Sequence, residues 1–512
     1  MKRRVIEDIN IEDTKTMKLN LSKTDYVLYR ECPKNVWYKI HRPDIYSQSE
    51  LSDFEKSIME TGNEVELMAR KLFPTGILIE RRDTKGQEST QDYLRKKQEV
   101  LFQPIFVKDG YLAAVDILKF EPGTNSYSVY EVKSTNDIDK KIHYHDLAFQ
   151  VNLLRKCGLK VNKAHLIHLN SEYVRSGELD IVQLFKIVDV SNEVESVADS
   201  VNTEAAEALK YISQMSEPEG FCCCIYKGRS RHCSTFQYAN PQVPEYSIHD
   251  IARIGNSAAK LKELVDNNIF HLDKIPAYIK LTDIQQAQID TYISNKIFVD
   301  KEKIVEEFKN LTFPLHFLDY ETFPAAIPRF DGFSPYHQIP FQYSVHILES
   351  ADSEPKHRDF LYVESDDSSK SFVESLQNHI GETGSIIVWH KGFECGRNDE
   401  IAVRIPESKV FMDFLKTRVY DLEDIFRKQY HIHRDFRGGT SIKRILPVLV
   451  PKLSYKELKI QDGGNAADTW NKIVTDSFVE SEKEEAIKNL KTYCGLDTYA
   501  MYSIWRVLCE FL

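Results

Sequence analysis

The 512-residue sequence contains no apolar run long enough to cross a bilayer, which excludes an integral helical membrane protein. No apolar stretch follows the basic opening "MKRRVIEDINIEDTK" either, so no secretory leader is expected and the chain is read as cytoplasmic. Nine Cys are too few for a disulfide scaffold of this length; free thiols or a metal centre suit them better. The phosphate-loop pattern G-x-x-x-x-G-K-[ST] is missing, so neither ATP hydrolysis nor a motor is expected. There is no fixed-period repeat and no low-complexity tract, which removes solenoids and tails from consideration. Positive charge is not in excess: the formal net charge of −11 argues against coating nucleic acid wholesale, although local basic contacts stay open.

What is present is a globular composition, 42% hydrophobic and 28% charged, in a chain too long for one ordinary core. The pattern is α/β and falls into three parts. Residues 1–245 mix helices with the strand-like "GYLAAVDILKF" and "SYSVYEVKS", the helical "HDLAFQVNLLRKCG" and a Cys-rich end. Residues 246–311 read as a charged helical connector. Residues 312–512 alternate strands such as "FQYSVHIL" and "SIIVWH" with helices, ending in "EEAIKNLKTYCGLDTYAMYSIWRVLCEF".

Two groups of residues carry chemistry. In "PLHFLDYETFP" side chains alternate faces, so Asp319 and Glu321 share one side of a sheet. Like charges that close repel. Either the strand is an exposed edge whose acids are solvated, or a hard cation bound by oxygen neutralises them. Glu394 follows a buried-looking strand in the polar turn of "VWHKGFE", and Tyr493 and Asp497 are four apart on one helical face. Four carboxylates could hold two divalent ions, Mg²⁺ or Mn²⁺, with Tyr493 orienting water. Asp421 is a further acid or a helix N-cap. Tyr320, Phe323 and Phe393 beside the acids are base-stacking or core residues.

The second group is "AAVDIL" followed by "YEVKS", which sets Asp116 on one strand and Glu131 and Lys133 together on one face of the next. Two carboxylates can hold an ion, and the ammonium can stabilise charge growing on phosphate. Exposed strands carry such residues as well. The basic runs "KGRSRH", "HIHRDFR" and "SIKR", the last with Lys443 and Arg444, are phosphate grips or solvated loops.

"FLDYET", "VWHKGFE" and "YCGLD" resemble the three motifs of the DnaQ-like exonuclease superfamily, in the version with a Tyr-x-x-x-Asp third motif. The phrases "AIPRFDGFSPYHQIPFQYSVHI" and "GGTSIKRILPVLVPKLSYKEL" resemble a poorly characterised bacterial domain family within it. The resemblance implies an RNase H-like mixed sheet and 3′-5′ exonuclease activity; Glu394 departs from it, standing where that superfamily usually has Asp. The order Asp116, then Glu131-x-Lys133, is similar to the PD-(D/E)XK superfamily, especially RecB-like and CRISPR-associated exonuclease relatives. That likeness implies a restriction-endonuclease-like fold, a metal-facing Glu66 from the preceding helix and Gln150 from the following one. It also implies a [4Fe-4S] cluster on one Cys before the core and three after it, for which Cys32, Cys222, Cys224 and Cys233 are the candidates among Cys32, the Cys222–Cys224 triplet and Cys233. Zn²⁺ or buried thiols are the alternatives, since consecutive Cys cannot all turn to one cluster and Asn240 stands where a later Cys is expected. Cys157, Cys395, Cys494 and Cys509 read as packing residues.

The expectation is therefore a two-domain, metal-dependent nuclease acting on DNA, as single strands or duplex ends, or on RNA, with DNA repair or defence against foreign DNA as settings. The rival from another class is a non-catalytic nucleic-acid-binding platform that keeps one or both folds.

Overall fold

The computed structural model describes residues 19–46 and 53–510; the basic opening segment lies outside them. The N-terminal half is built on a six-stranded sheet whose spatial order follows the chain: β1 (Ile77–Leu78), β2 (Val100–Phe102), β3 (Ile117–Glu121), β4 (Ser126–Lys133), β5 (Val161–Leu169) and β6 (Phe185–Asp189). β4 and β5 run parallel, so the chain between them must cross a face of the sheet, and it does so as a helix. Among the helices of this half are α1 (Lys23–Glu31), α2 (Asp53–Arg70), the crossover α3 (Lys140–Lys156) and α4 (Ser191–Ile212). The Asp139 carboxylate caps α3 by accepting from Lys141 N and Ile142 N. Leu147, Phe149 and Leu154 on α3 then pack with Val194, Val201 and Ala208 on α4, each large side chain contributing about 1.5–3 kcal/mol by burial.

The stretch "GYLAAVDILKF" forms two strands, where one was expected. Tyr111–Ala114 joins a separate three-stranded sheet with Leu21–Ser22 and Ile105–Lys108, and only Ile117 onward belongs to β3. Asp116 therefore lies in the break between strands, not on one. Val115 N donates to Pro104 O and Gln103 N to Asp116 O, which fixes the chain as it passes from one sheet to the other.

Residues 222–289 pack with Cys32, Trp37 and Tyr38 in a core of their own. The C-terminal half has a five-stranded mixed sheet in the order β9-β8-β7-β10-β11: β7 (Leu315–Pro324), β8 (Gln338–Leu348), β9 (Lys356–Leu361), β10 (Ser385–Val388) and β11 (Val419–Asp421). β7 is central, antiparallel to β8 and parallel to β10. Gly384 lets β10 start there, because its φ is +84° and a Cβ would lie 1.9 Å from Pro314 O. Around the sheet pack α5 (Lys391–Arg404), α6 (Ile442–Leu449), α7 (Gly463–Val474) and the long α8 (Glu480–Glu510). The chain is mixed α/β, as expected, and no helix among the described residues is long and apolar enough to cross a membrane.

The two halves dock through the segment joining β7 to β8. Ala326 and Ile327 enter the apolar cluster of Tyr130 and Ile167, the Arg175 guanidinium donates to Pro328 O and Arg329 O, and Tyr336 OH donates to Ser134 O. A cavity of about 530 Å³ is left between them, walled by Ile58, Thr61 and Ser134 on one side and Glu321, Phe323 and Phe393 on the other.

Candidate functional site

Strand alternation positions the C-terminal acids. Along β7, Leu318 and Tyr320 point into one apolar cluster, while Phe317 points into the other beneath α8; Asp319 and Glu321 share the Phe317 face. The β7–β8 register shifts between Glu321 and Thr322, an irregularity that re-aims side chains at the strand end. From α8, Tyr493 and Asp497 reach the same spot, both buried.

Glu394 sits in the first turn of helix α5, not in the polar turn the sequence pattern suggests. The turn is shorter than expected because His390, at φ +83°, starts the helix at once. The Asp421 carboxylate accepts from His390 N (3.1 Å) and Lys391 N (3.0 Å), capping α5 from a neighbouring strand, and also from Glu423 N (3.2 Å), the residue that stands as N-cap of the short helix after it.

These acids are poorly neutralised. Burial, then the charge of Asp497, raises Asp319 well above the carboxylate range; burial and Asp319 do the same to Glu321, and burial, Asp319 and Glu321 to Glu394. Burial pushes Asp497 up to about 6, held there by the 2.6 Å bond from Tyr455 OH and the charge of Lys443. Glu394 Oε2 is buried with no hydrogen-bond partner. Ligand atoms of Asp319, Glu321 and Cys494 lie within 4.8 Å of one another. Glu394 and Asp497 are not members of that group of three, so the donor set that fits a divalent ion is the Asp319–Glu321 pair with the Cys494 sulfur, and the orphaned Glu394 oxygen is a further buried acceptor without a partner.

Sequence reasoning did not place Cys494 or Tyr455 here, and named Lys443 without its acidic neighbours. Cys494 is no remote packing residue, since its sulfur joins the Asp319–Glu321 pair. Lys443, read as a phosphate grip or part of a solvated loop, acts on Asp319, Glu321 and Asp497 and lies 5.5 Å from the Tyr493 ring and 5.7 Å from that of Tyr455. Tyr455 had no local signal. Of the aromatics, Tyr320 is a core residue bonded to Asn398, whereas Phe323 and Phe393 line the cavity.

The N-terminal group also assembles, with different electrostatics. Glu131 accepts from Lys133 Nζ (2.8 Å), Lys23 Nζ (2.7 Å) and Gln150 Nε2 (2.8 Å). Lys133 also bonds Asp146 at 2.5 Å, one turn before Gln150 on α3. Asp116 accepts from Val132 N (2.8 Å) and Gln103 Nε2 (3.1 Å), and the same Gln103 amide reaches Glu66, which is paired with Arg70. Burial and the Glu131 charge push Asp116 up to about 7. Burial would raise Glu131 too, yet Lys133 and Lys23 together hold it well below the usual range. Lys23, Gln103 and Asp146 escaped notice because their partners are 13 to 108 residues away.

Several arginines of the basic runs are engaged by other residues of the chain. Arg229 pairs with buried Asp250; at the surface, Arg437 pairs with Glu245 and Arg434 lies over Tyr292.

The four cysteine sulfurs of Cys32, Cys222, Cys224 and Cys233 lie within 4.8 Å of one another, while Cys223 turns outward to Glu31 O. Asn240 does not face the sulfurs as a substitute ligand; it is buried and accepts from Cys222 N.

Residues 316–441 match a family model described as a domain of unknown function, DUF2779. That stretch includes Asp319, Glu321, Glu394 and Asp421 but stops before Lys443, Tyr493 and Asp497. The chain is 24% identical over 278 residues to uncharacterized protein UU173 of Ureaplasma parvum serovar 3, covering 51% of this chain and 40% of that protein. It is 26% identical over 236 residues to uncharacterized protein MG366 of Mycoplasma genitalium, covering 42% and 35%. The matches thus span well under half of these relatives' own length, and neither relative's name carries an activity, so a functional reading has to start from the geometry above.

Proposed function

We propose that this protein is a metal-dependent phosphodiesterase of nucleic acids, with a 3′-5′ exonuclease centre at Asp319, Glu321, Glu394 and Asp497. The observation that carries the reading is the buried, unneutralised carboxylate group with its orphaned Glu394 oxygen. Divalent cations, Mg²⁺ or Mn²⁺, when bound there supply charge neutralisation and activation of water. The chain's own residues do the rest. The carboxylates fix the position of whatever occupies the site, and Tyr455 holds Asp497 in one orientation. Tyr493, whose phenol is driven far up by burial and the surrounding acids, stays protonated and orients the attacking water without deprotonating it. Lys443 offsets charge developing on the phosphate.

The 3′-5′ direction comes from the resemblance to DnaQ-like exonucleases alone; the strand order β9-β8-β7-β10-β11 with a central acidic strand supports the RNase H-like sheet that resemblance implies. DNA is the preferred substrate because the N-terminal half resembles RecB-like nucleases. There Asp116, Glu131, Lys133, Gln150 and Glu66 make a second nuclease centre. A cytoplasmic setting suits nine cysteines of which none is paired in a disulfide. One observation favours a non-cutting role for the N-terminal half alone: both lysines already occupy Glu131.

The test is digestion of 5′-labelled single- and double-stranded DNA with Mn²⁺, comparing wild type with Asp319→Ala and Glu131→Ala. A ladder shortening from the 3′ end that vanishes only in Asp319→Ala supports the assignment. DNA binding without cleavage in any divalent metal overturns it and leaves the platform.

A further inference from the structure

We propose that Cys32, Cys222, Cys224 and Cys233 hold a single tetrahedral zinc ion and not the [4Fe-4S] cluster that the RecB-like resemblance implies. The inference is independent of whether either carboxylate centre cuts nucleic acid. The argument is one of size. Four thiolates on one Zn²⁺ at about 2.3 Å stand about 3.8 Å apart. In a cubane each thiolate binds a different iron at its own corner, so the four sulfurs are splayed to roughly 6 Å. Here all four sulfurs lie within 4.8 Å of one another, and Cys222 Sγ is 3.3 Å from Cys32 Sγ and 3.4 Å from Cys233 Sγ. A cubane would have to push apart a wall that is closed: Cys32, Cys222 and Cys224 are at most 2% exposed and packed among Trp37, Tyr38 and Ile225.

The surroundings suit a small, doubly negative tetrathiolate. Lys227 Nζ lies 3.8 Å from Cys224 Sγ and is anchored by Glu31 O, placing a cation beside the sulfurs. Asn240 Oδ1 accepts from Cys222 N and its amide donates to Phe236 O, which fixes the backbone on both sides of the Cys222–Cys233 loop. Cys223 is the exposed member of the triplet: its sulfur meets Glu31 O, although its thiol also lies beside those of Cys32 and Cys224. The ion would tie residue 32 to residues 222–233 and so pin the two ends of the N-terminal half together.

The protein should be purified anaerobically, without a metal-affinity step, from cells supplied with both iron and zinc. About one zinc per chain, negligible iron and acid-labile sulfide, and no absorbance near 400 nm are expected. Zinc should be released stoichiometrically by a mercurial thiol reagent, and Cys223→Ser should keep its zinc. Because Cys222→Ser could simply misfold, the decisive measurement is the wild-type metal content. Brown protein with iron and sulfide overturns the proposal in favour of a cluster. Metal-free protein whose four thiols all react freely, and which takes up no added zinc, overturns it in favour of simple packing.

Discussion

The chain solves the same electrostatic problem twice, in opposite ways. In the N-terminal half, Glu66, Asp116, Glu131 and Asp146 are met by Lys23, Lys133 and Arg70. In the C-terminal half, Asp319, Glu321 and Asp497 share Lys443, and Arg397 acts on Glu394 while paired to Glu400. The consequence is visible in Glu131, held low although its neighbour Asp116 is pushed up to about 7, against Asp319, Glu321 and Glu394, all forced high. Four buried carboxylates among three cations are better neutralised than four that have Lys443 and an Arg397 already paired elsewhere, so ionising the C-terminal group costs more and would gain more from an added cation. Carboxylates already paired with lysines have less to gain from metal.

The largest effect that would break this comparison is on cleavage. Asp319→Ala should lower 3′-end shortening by about three orders of magnitude, as expected for a group acting on the reacting atoms, while Glu131→Ala should leave it intact. Equal losses in both variants, measured by single-turnover digestion, would mean that the two groups act as one.

Next comes metal affinity. Lys23→Gln removes the cation 2.7 Å from Glu131 Oε1 and should tighten Mn²⁺ binding at the N-terminal group about tenfold. Titration calorimetry in an Asp319→Ala background reads that group alone, and an unchanged or weaker affinity would show that Lys23 does not compete with metal.

The pH dependence of stability is the third. The C-terminal carboxylates have folded values above their unfolded ones, Asp497 at about 6, so the folded state binds more protons. Their stabilising contribution is complete below about pH 4 and is lost as pH rises through about 6 and beyond. Metal-free protein should therefore melt at a higher temperature at pH 6 than at pH 8. Saturating Mg²⁺ should flatten the slope by replacing protons, and Asp319→Asn should raise metal-free stability at pH 8 by about 1–3 kcal/mol. Calorimetry across that range checks all three.

The smallest effect concerns α5. Asp421→Ala removes the acceptor of two N–H groups at the helix start and should cost about 1 kcal/mol, the usual loss for a helix cap. Because Glu394 rides on the first turn of that helix, metal affinity at the C-terminal group should fall as well, whereas the N-terminal group should be unaffected.

Both acidic strands and the α/β class were legible because strand and helix periods are local: Asp319 with Glu321, Glu131 with Lys133, Tyr493 with Asp497. What stayed hidden arises where the chain meets itself at a distance. Lys23 finds Glu131, Tyr455 finds Asp497, and Asp421 caps a helix 30 residues earlier, contacts with no periodic trace. Asp116 was misplaced on a strand because its neighbours are all apolar and β-prone, and nothing in them marks a change of sheet. Glu394 was misplaced in a turn because a left-handed His390 gives no compositional warning.

The cavity between the halves has one wall from each, with Glu321 on its rim. It exists only while the halves are docked, so anything that occupies it acts as a clamp across the joint. By mass action an occupant at a hundred times its dissociation constant would add about 2.7 kcal/mol to the docked form. Unfolding of the two halves would then be drawn into a single transition, and the oligonucleotide length at which this begins would measure how far a strand must reach to touch both.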